Sequence, residues 1–229
     1  MRTLRRDSFL AQFRKGDDVS DTSCPLCSSQ EISDFHKDRS REYLRCETCR
    51  LIFVPREYHV SPADEKAEYD LHENSPDDPG YRKFLGRLFE PINDRLAAGS
   101  SGLDFGSGPG PTLSVMFEEV GHNVSIYDPF YSPDETPLSR QYDFVTASEV
   151  VEHFRNPAET LQRLWSCVKP GGLLGIMTKL ALDKASFANW HYKNDPTHVS
   201  FFSRETFGWL ATNWDAELIL QRDVALFMA

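Results

Sequence analysis

The sequence predicts an α/β fold, a sheet with helices on both faces, preceded by a small metal-bound module. Three observations point there. "GLDFGSGPGPTLSVMFEEVGHNVSIYDP" reads as strand, glycine-rich turn, helix and second strand. "YDFVT" is a further apolar strand, followed at once by "ASEVVEHF" with Glu149, Glu152 and His153. Four of the five cysteines fall into two C-x-x-C pairs near the front of the chain.

The totals set the bounds. A chain of 229 residues, 40% hydrophobic and 26% charged, has the composition of a globular protein with one domain and a small module. No apolar run approaches the ~18 residues of a membrane span. The start, "MRTLRRDSFLAQFRKGDD", lacks the apolar centre of a secretory signal. A cytoplasmic protein with no membrane partner is expected. Residues 1–56 carry 11 basic and 9 acidic residues, whereas 57–229 carry 14 and 26, within a net charge of −10. An acidic domain repels phosphate backbones, which weighs against a nucleic-acid partner.

The cysteines are Cys24, Cys27, Cys46 and Cys49, with 18 residues between the pairs. Two knuckles at that spacing suit tetrahedral Zn²⁺, and four thiolates leave no open position, so the ion is structural. Disulfides fit a chain without a signal poorly. The polar middle, "SSQEISDFHKDRSREYLR", is expected to bury no core of its own, leaving the metal to supply much of the folding energy. Cys167, on an apolar helical pattern, is expected in the core.

The glycine turn discriminates between ligands. A dinucleotide fingerprint needs a third glycine at 111 or 113, where the chain has Pro111 and Leu113. What fits is an acidic residue followed by alternating glycines: Asp104, Gly106, Gly108 and Gly110, with Ser107 inside the turn. Asp128 ends the second strand, 18 positions past Gly110, placed to accept hydrogen bonds from a ribose diol. Asp104 suits a ligand carrying an amino group and disfavours a pyrophosphate.

On these residues the chain from about 100 to 179 resembles class I S-adenosylmethionine-dependent methyltransferases. "LDFGSGPG" looks like their first motif, "IYDP" their second, and "YDFVTASEVVEHF…KPGG" their fourth strand through the turn into the fifth. The resemblance implies a Rossmann-like sheet. It implies that Asp104 serves the methionine end of the cofactor, that Gly106, Ser107, Gly108 and Gly110 pack against it, and that Asp128 binds its ribose. It also implies that "AELILQRDVALFMA" closes the sheet as a hairpin. One departure stands out: only 13 residues separate Asp128 from Tyr142, where the family has a strand and a helix. Asp134 and Glu135, in that segment, are expected as surface turn residues rather than adenine contacts.

The organisation expected is a tail over 1–20, flexible or helical, a zinc ribbon over 21–57 and the methyltransferase domain over 58–229. Glu149-x-x-Glu152-His153 resembles the metal-binding E-x-x-E-H of small-RNA 2′-O-methyltransferases and of ubiquinone-pathway O-methyltransferases, and His198 looks like the histidine that completes the former. Two uses stay open. The four side chains hold Mg²⁺ or Mn²⁺, or they work without metal, with Glu149 meeting the cofactor and His153 and His198 serving as bases or substrate contacts. On a helix the first three would share one face. Asp195, Pro196 and Thr197 form a turn that would hold His198. Trp190 and His191 read as packing. Tyr69, His72 and Asn74 fit either the lid that the resemblance implies or an exposed amphipathic helix. The function expected is O-methylation of a small metabolite. The alternatives are an RNA methyltransferase docking through its ribbon, or a non-catalytic cofactor-binding scaffold.

Overall fold

The structure, a computed structural model, describes residues 23–71 and 74–229. The expected N-terminal tail and His72 lie outside the described residues. After the first cysteine knuckle, β1 (Ile32–Lys37), β2 (Glu42–Cys46) and β3 (Ile52–Phe53) form an antiparallel meander. Two helices follow. Ser61 caps α1 (Pro62–Tyr69) by accepting the Asp64 amide, and Asp78 caps α2 (Pro79–Asn93) by accepting that of Gly80. Asn74, expected in a helix, lies in the loop between them.

The large sheet then begins. The chain runs through β4 (Ser101–Phe105), α3 (Thr112–Glu119) and β5 (Asn123–Tyr127), the unit read from the sequence. It crosses to β6 (Tyr142–Ser148), α4 (Pro157–Ser166) and β7 (Val168–Met177). After α5 (Lys184–Ala188) and β8 (Ser200–Phe201) comes α6 (Arg204–Trp214), started by a reciprocal Ser203–Thr206 capping box. The hairpin β9 (Glu217–Gln221) and β10 (Val224–Met228) completes the sheet in the order β5-β4-β6-β7-β10-β9. The first four strands are parallel, and β10 joins β7 antiparallel. "KPGG", expected as a turn into the next strand, lies within β7, beside a shift of its register with β6.

Strand alternation sorts the core into two layers. Leu173 and Met177 of β7 pack with α2 and α3; Leu174 and Ile176 face α4 and α6. The connection from β5 to β6 is as short as the sequence indicated: a bridge between Asp128 and Ser132 and one 3-10 turn at Thr136–Ser139 stand where a strand and helix would be. The order reverses between β4 and β6, so their carboxyl ends open a crevice at the switch point. Among the described residues, no helix is long and apolar enough to cross a membrane.

The N-terminal meander gains a fourth strand from far along the chain, because β3 pairs with β8. Phe35 and Tyr43, from the segment expected to bury no core of its own, are buried against Phe187, Tyr192 and Phe201. The segment is too polar to make a core alone, but each of its few aromatic side chains finds a partner in residues 181–201, so apolar burial shares the stabilisation with any metal. Cys167 is buried in the α4–α6 layer, as expected.

Candidate functional site

A cleft of about 720 Å³ lies over the carboxyl ends of β4 and β6. One end is the glycine turn. Gly106 has φ +74° and its α-carbon faces Val150, so a β-carbon there would sit 2.4 Å from Val150 Cγ2. At Gly110 a β-carbon would sit 2.0 Å from the Asn74 carbonyl oxygen, which seals the turn from the α1–α2 side. Asp128 holds the turn in shape. Its Oδ2 accepts the Gly108 amide at 3.0 Å, and Oδ1 accepts those of Phe130 and Tyr131 at 2.8 and 3.0 Å.

Gly106, Ser107, Gly108, Asp128 and Glu149 line the cleft; Asp104 and Gly110 do not. Asp104 is buried behind the turn, where Thr146 Oγ1 donates to it at 2.8 Å and burial pushes its carboxyl up to about 7. Ser107 Oγ and Glu149 Oε1 are buried polar atoms with no partner among the described residues. Such atoms beside a glycine turn and a carboxylate fit a polar ligand such as S-adenosylmethionine. Asp134 and Glu135 stay on the surface, paired with Thr136 and Arg163, and line no part of the cleft.

At the other end the expected helix face is absent. β6 ends at Ser148, Glu149 takes the left-handed conformation (φ +49°), and Val151–His153 make a single 3-10 turn. The α-helix begins only at Pro157, because Asn156 precedes a proline, which disfavours helical geometry for it. A non-glycine left-handed residue costs on the order of 1–3 kcal/mol, and such strain concentrates at functional turns. Here the Glu149 amide, bonded to the Met177 carbonyl at 2.7 Å, holds it.

Glu152 points inward instead of along a solvated face. Thr178 Oγ1 donates to its Oε2 at 3.0 Å, and the Tyr192 hydroxyl donates to its Oε1. The same phenol reaches Glu149 Oε2 at 3.2 Å. Burial, then the neighbouring Glu149, pushes the Glu152 carboxyl up to about 8; burial also raises Glu149 to about 7. His198 lies opposite. Its Nδ1 is 2.7 Å from the Tyr192 carbonyl oxygen and its Nε2 3.6 Å from Asp195 Oδ2. Burial holds His198 below its ordinary value, with Asp195 working the other way. His153 packs 4.7 Å from His198, centroid to centroid, with its Nδ1 3.3 Å from the Thr197 carbonyl oxygen.

The structure therefore brings Glu152, His153 and His198 together, their nearest donor atoms all within 4.8 Å, with Glu149 joined to them through Tyr192. Tyr69 closes this end, its ring 5.0 Å from that of His153. Arg155 anchors α1 by donating to Glu65 and to the Val60 carbonyl oxygen. Trp190 packs on Tyr192, the role read for it, whereas His191 is exposed beside Lys179 and does not pack. The sequence reading missed Tyr192 as a polar contact, since nothing separates its hydroxyl from the packing aromatics around it.

The cysteines form a second cluster. All four Sγ atoms lie within 4.8 Å of one another, with Cys24–Cys49 and Cys27–Cys46 at 3.4 Å. The Leu26 and Cys49 amides point at Cys24 and Cys46 sulfur, and Ser28 and Arg50, one residue past each pair, turn left-handed. Four convergent sulfurs with amide donors fit a tetrahedral Zn²⁺.

Sheet order and crevice define a Rossmann-like methyltransferase fold. Residues 78–221 match the methyltransferase domain family, and the chain belongs to it. It is similar to two proteins called ubiquinone biosynthesis O-methyltransferase, from Shewanella pealeana (31% identity over 84 residues) and Colwellia psychrerythraea (34% over 86). Each alignment takes in 37% of this chain and 36% or 34% of the relative, so the chain spans about a third of those proteins' length. Among solved structures it is similar to the 1,6-didemethyltoxoflavin-N1-methyltransferase of Burkholderia thailandensis, with 15% identity, 85% of this chain and 96% of that one covered, and a TM-score of 0.47. An O-methyltransferase family protein from the same organism gives 12%, 80% and 64%, with a TM-score of 0.48.

Proposed function

We propose that the protein transfers a methyl group from S-adenosylmethionine to an oxygen of a small metabolite. The observation that carries this is the single cleft. The glycine turn, Asp128 and the unpartnered Ser107 hydroxyl lie at one end, and a buried histidine paired with a carboxylate lies at the other. The two bacterial relatives are named as O-methyltransferases. The acidic surface and an aromatic cleft wall of Tyr69, Tyr81, Phe84 and Phe130 favour a small acceptor over RNA. A cytoplasmic setting belongs to the same reading.

Gly106, Ser107 and Gly108 would hold the cofactor, Asp128 its ribose and Glu149 its edge near the reaction centre. When bound, S-adenosylmethionine supplies an electrophilic methyl group on a sulfonium. The chain's own contribution is alignment and proton removal. A carbonyl oxygen only accepts, so His198 Nδ1 carries the hydrogen facing Tyr192, and Nε2 is left as the basic atom. His198 Nε2 takes the acceptor's hydroxyl proton, and the nearby Asp195 carboxylate stabilises the resulting imidazolium. Thr197 holds Asp195 through its amide at 2.8 Å and its hydroxyl at 2.6 Å. Glu65 and Tyr69 of α1 wall the cleft beside His153.

A second reading rests on the convergence of Glu152, His153 and His198. These residues would hold Mg²⁺ or Mn²⁺, which would lower the pKa of a bound acceptor hydroxyl. The four cysteines would hold structural Zn²⁺ in either case.

Incubating the protein with S-adenosylmethionine and a pool of phenolic and hydroxy metabolites, or with an RNA pool, tests this through release of S-adenosylhomocysteine. Turnover is expected with the metabolites. Turnover with RNA alone overturns the acceptor class, and tight cofactor binding without turnover favours a scaffold. Stripping divalent ions with EDTA and restoring Mg²⁺ separates the two readings of the reaction centre.

A further inference from the structure

Arg41 belongs to the turn between β1 and β2 of the four-cysteine module, yet its guanidinium is buried against residues 193–196. Nη1 donates to the Pro196 carbonyl at 3.2 Å. Nη2 donates to the carbonyls of Asp195, at 2.6 Å, and Lys193. Nε donates to the Tyr43 hydroxyl at 2.9 Å. One rigid fork thus gathers three carbonyls of a single turn, which Arg does and a point-charged Lys cannot. Asp38 completes the junction: it accepts the Ser40 and Arg41 amides at 2.8 and 3.1 Å, the Tyr43 hydroxyl at 3.0 Å and the Lys193 ammonium at 2.8 Å.

The turn so held carries Asp195 and leads directly into His198. Just beyond it, Val199 is bonded on both sides: its carbonyl accepts the Val54 amide at 2.9 Å and its amide donates to the Glu152 carbonyl at 2.8 Å. The cleft end of residues 192–199 is therefore braced from outside by the module and from inside by the Glu152 turn.

We propose that Arg41 is a positioning residue of the reaction centre, through which the four-cysteine module sets the orientation of Asp195 and His198. This rests on the reading of His198 as the base. The buried fork fixes the backbone on which the carboxylate and the imidazole are mounted. Without it, the Tyr192 carbonyl no longer selects one tautomer, and Nε2 no longer stays the single basic atom beside Asp195. The module then belongs to the catalytic scaffold and is not a separately tethered docking unit.

The test is ¹⁵N-histidine NMR on the full chain, with the His198 signals assigned by their absence in His198→Gln. In the wild type, His198 should show one neutral tautomer with a pyrrole-type Nδ1 and a pyridine-type Nε2. In Arg41→Met these signals should collapse toward a tautomer average, while affinity for S-adenosylhomocysteine by calorimetry stays within about twofold of wild type. Arg41→Lys should fall between the two. An unchanged His198 spectrum in folded Arg41→Met overturns the proposal. If Arg41→Met does not fold, Arg41→Lys decides on the same spectrum. Failure of both to fold overturns the positioning role in favour of a purely structural one. Wild-type protein that fails to bind S-adenosylhomocysteine would sink the methyltransferase reading, and the histidine spectrum would still decide the role of Arg41.

Discussion

His198 Nδ1 sits 2.7 Å from the carbonyl oxygen of Tyr192, six residues earlier in the chain. That contact decides which imidazole nitrogen is basic, and burial keeps the ring neutral near pH 7. The phenol of the same Tyr192 binds the two raised carboxylates, so one residue organises both halves of the proposed reaction centre.

Replacing His198, the base in the proposed function, therefore has a defined outcome. His198→Gln should lower turnover about 10²- to 10⁴-fold, the usual contribution of a general base. S-adenosylhomocysteine affinity should hold, since His198 lies at the acceptor end. A variant turning over at the wild-type rate would rule out proton removal by this residue.

Asp128 ties the glycine turn and, in the proposed function, accepts the ribose. Three backbone amides converge on its carboxylate, so Asp128→Ala unties the glycine turn and removes the ribose acceptor together. Cofactor affinity should fall tenfold or more, about 1.4 kcal/mol at the least. Asp128→Asn keeps the shape but halves the accepting capacity, and should lie between. Calorimetry with S-adenosylhomocysteine reads both. Wild-type affinity in Asp128→Ala would remove Asp128 from the cofactor site.

Much of this was legible in the chain. Short apolar runs in "GLDF", "NVSIY" and "YDFVT", with the glycine turn after the first, sufficed for the strands and the turn, because those signals are local. The short link after Asp128 was visible by counting. The course of Glu149–His153 was not, because i, i+3, i+4 spacing also fits a 3-10 turn with one left-handed residue. The proline at 157 was the available clue. Nor could local patterns announce that β8 joins β3, or that Arg41 reaches residues 150 or more positions away. Those contacts belong to tertiary packing, and the same charged residue on a solvated turn would leave an identical sequence.

The cysteine cluster should hold one tightly bound Zn²⁺ per chain, measurable by elemental analysis. Because Phe35, Tyr43, Ile52 and Phe201 bury apolar surface beside it, Cys46→Ser should weaken the module without dissolving the whole fold. A cost of about 3 kcal/mol would lower the melting midpoint by roughly 6–12 °C for a chain of this size. An unchanged midpoint in zinc-free Cys46→Ser would show that the sulfurs carry no metal of structural consequence.

Between about pH 5 and 8, stability should fall as pH rises. Asp104 is buried with its carboxyl pushed from 3.8 to about 7, so the folded protein keeps a proton that the unfolded chain has released. Below pH 3.8 both states hold the proton and the folded state has its full advantage. Between 3.8 and 7 the advantage is lost as pH rises, at a slope approaching ~1.4 kcal/mol per unit. Above 7 this group adds no further loss. Glu149 and Glu152, raised to about 7 and about 8, act with the same sign and carry the decline toward pH 8. Asp104→Asn replaces the titrating group by a neutral side chain that can still accept from Thr146. Its melting midpoint should fall less steeply between pH 5 and 7 than that of the wild type and should equal or exceed it at pH 8. Scanning calorimetry of both proteins across that range reads the difference, and equal slopes would show that Asp104 is already ionised in the folded protein.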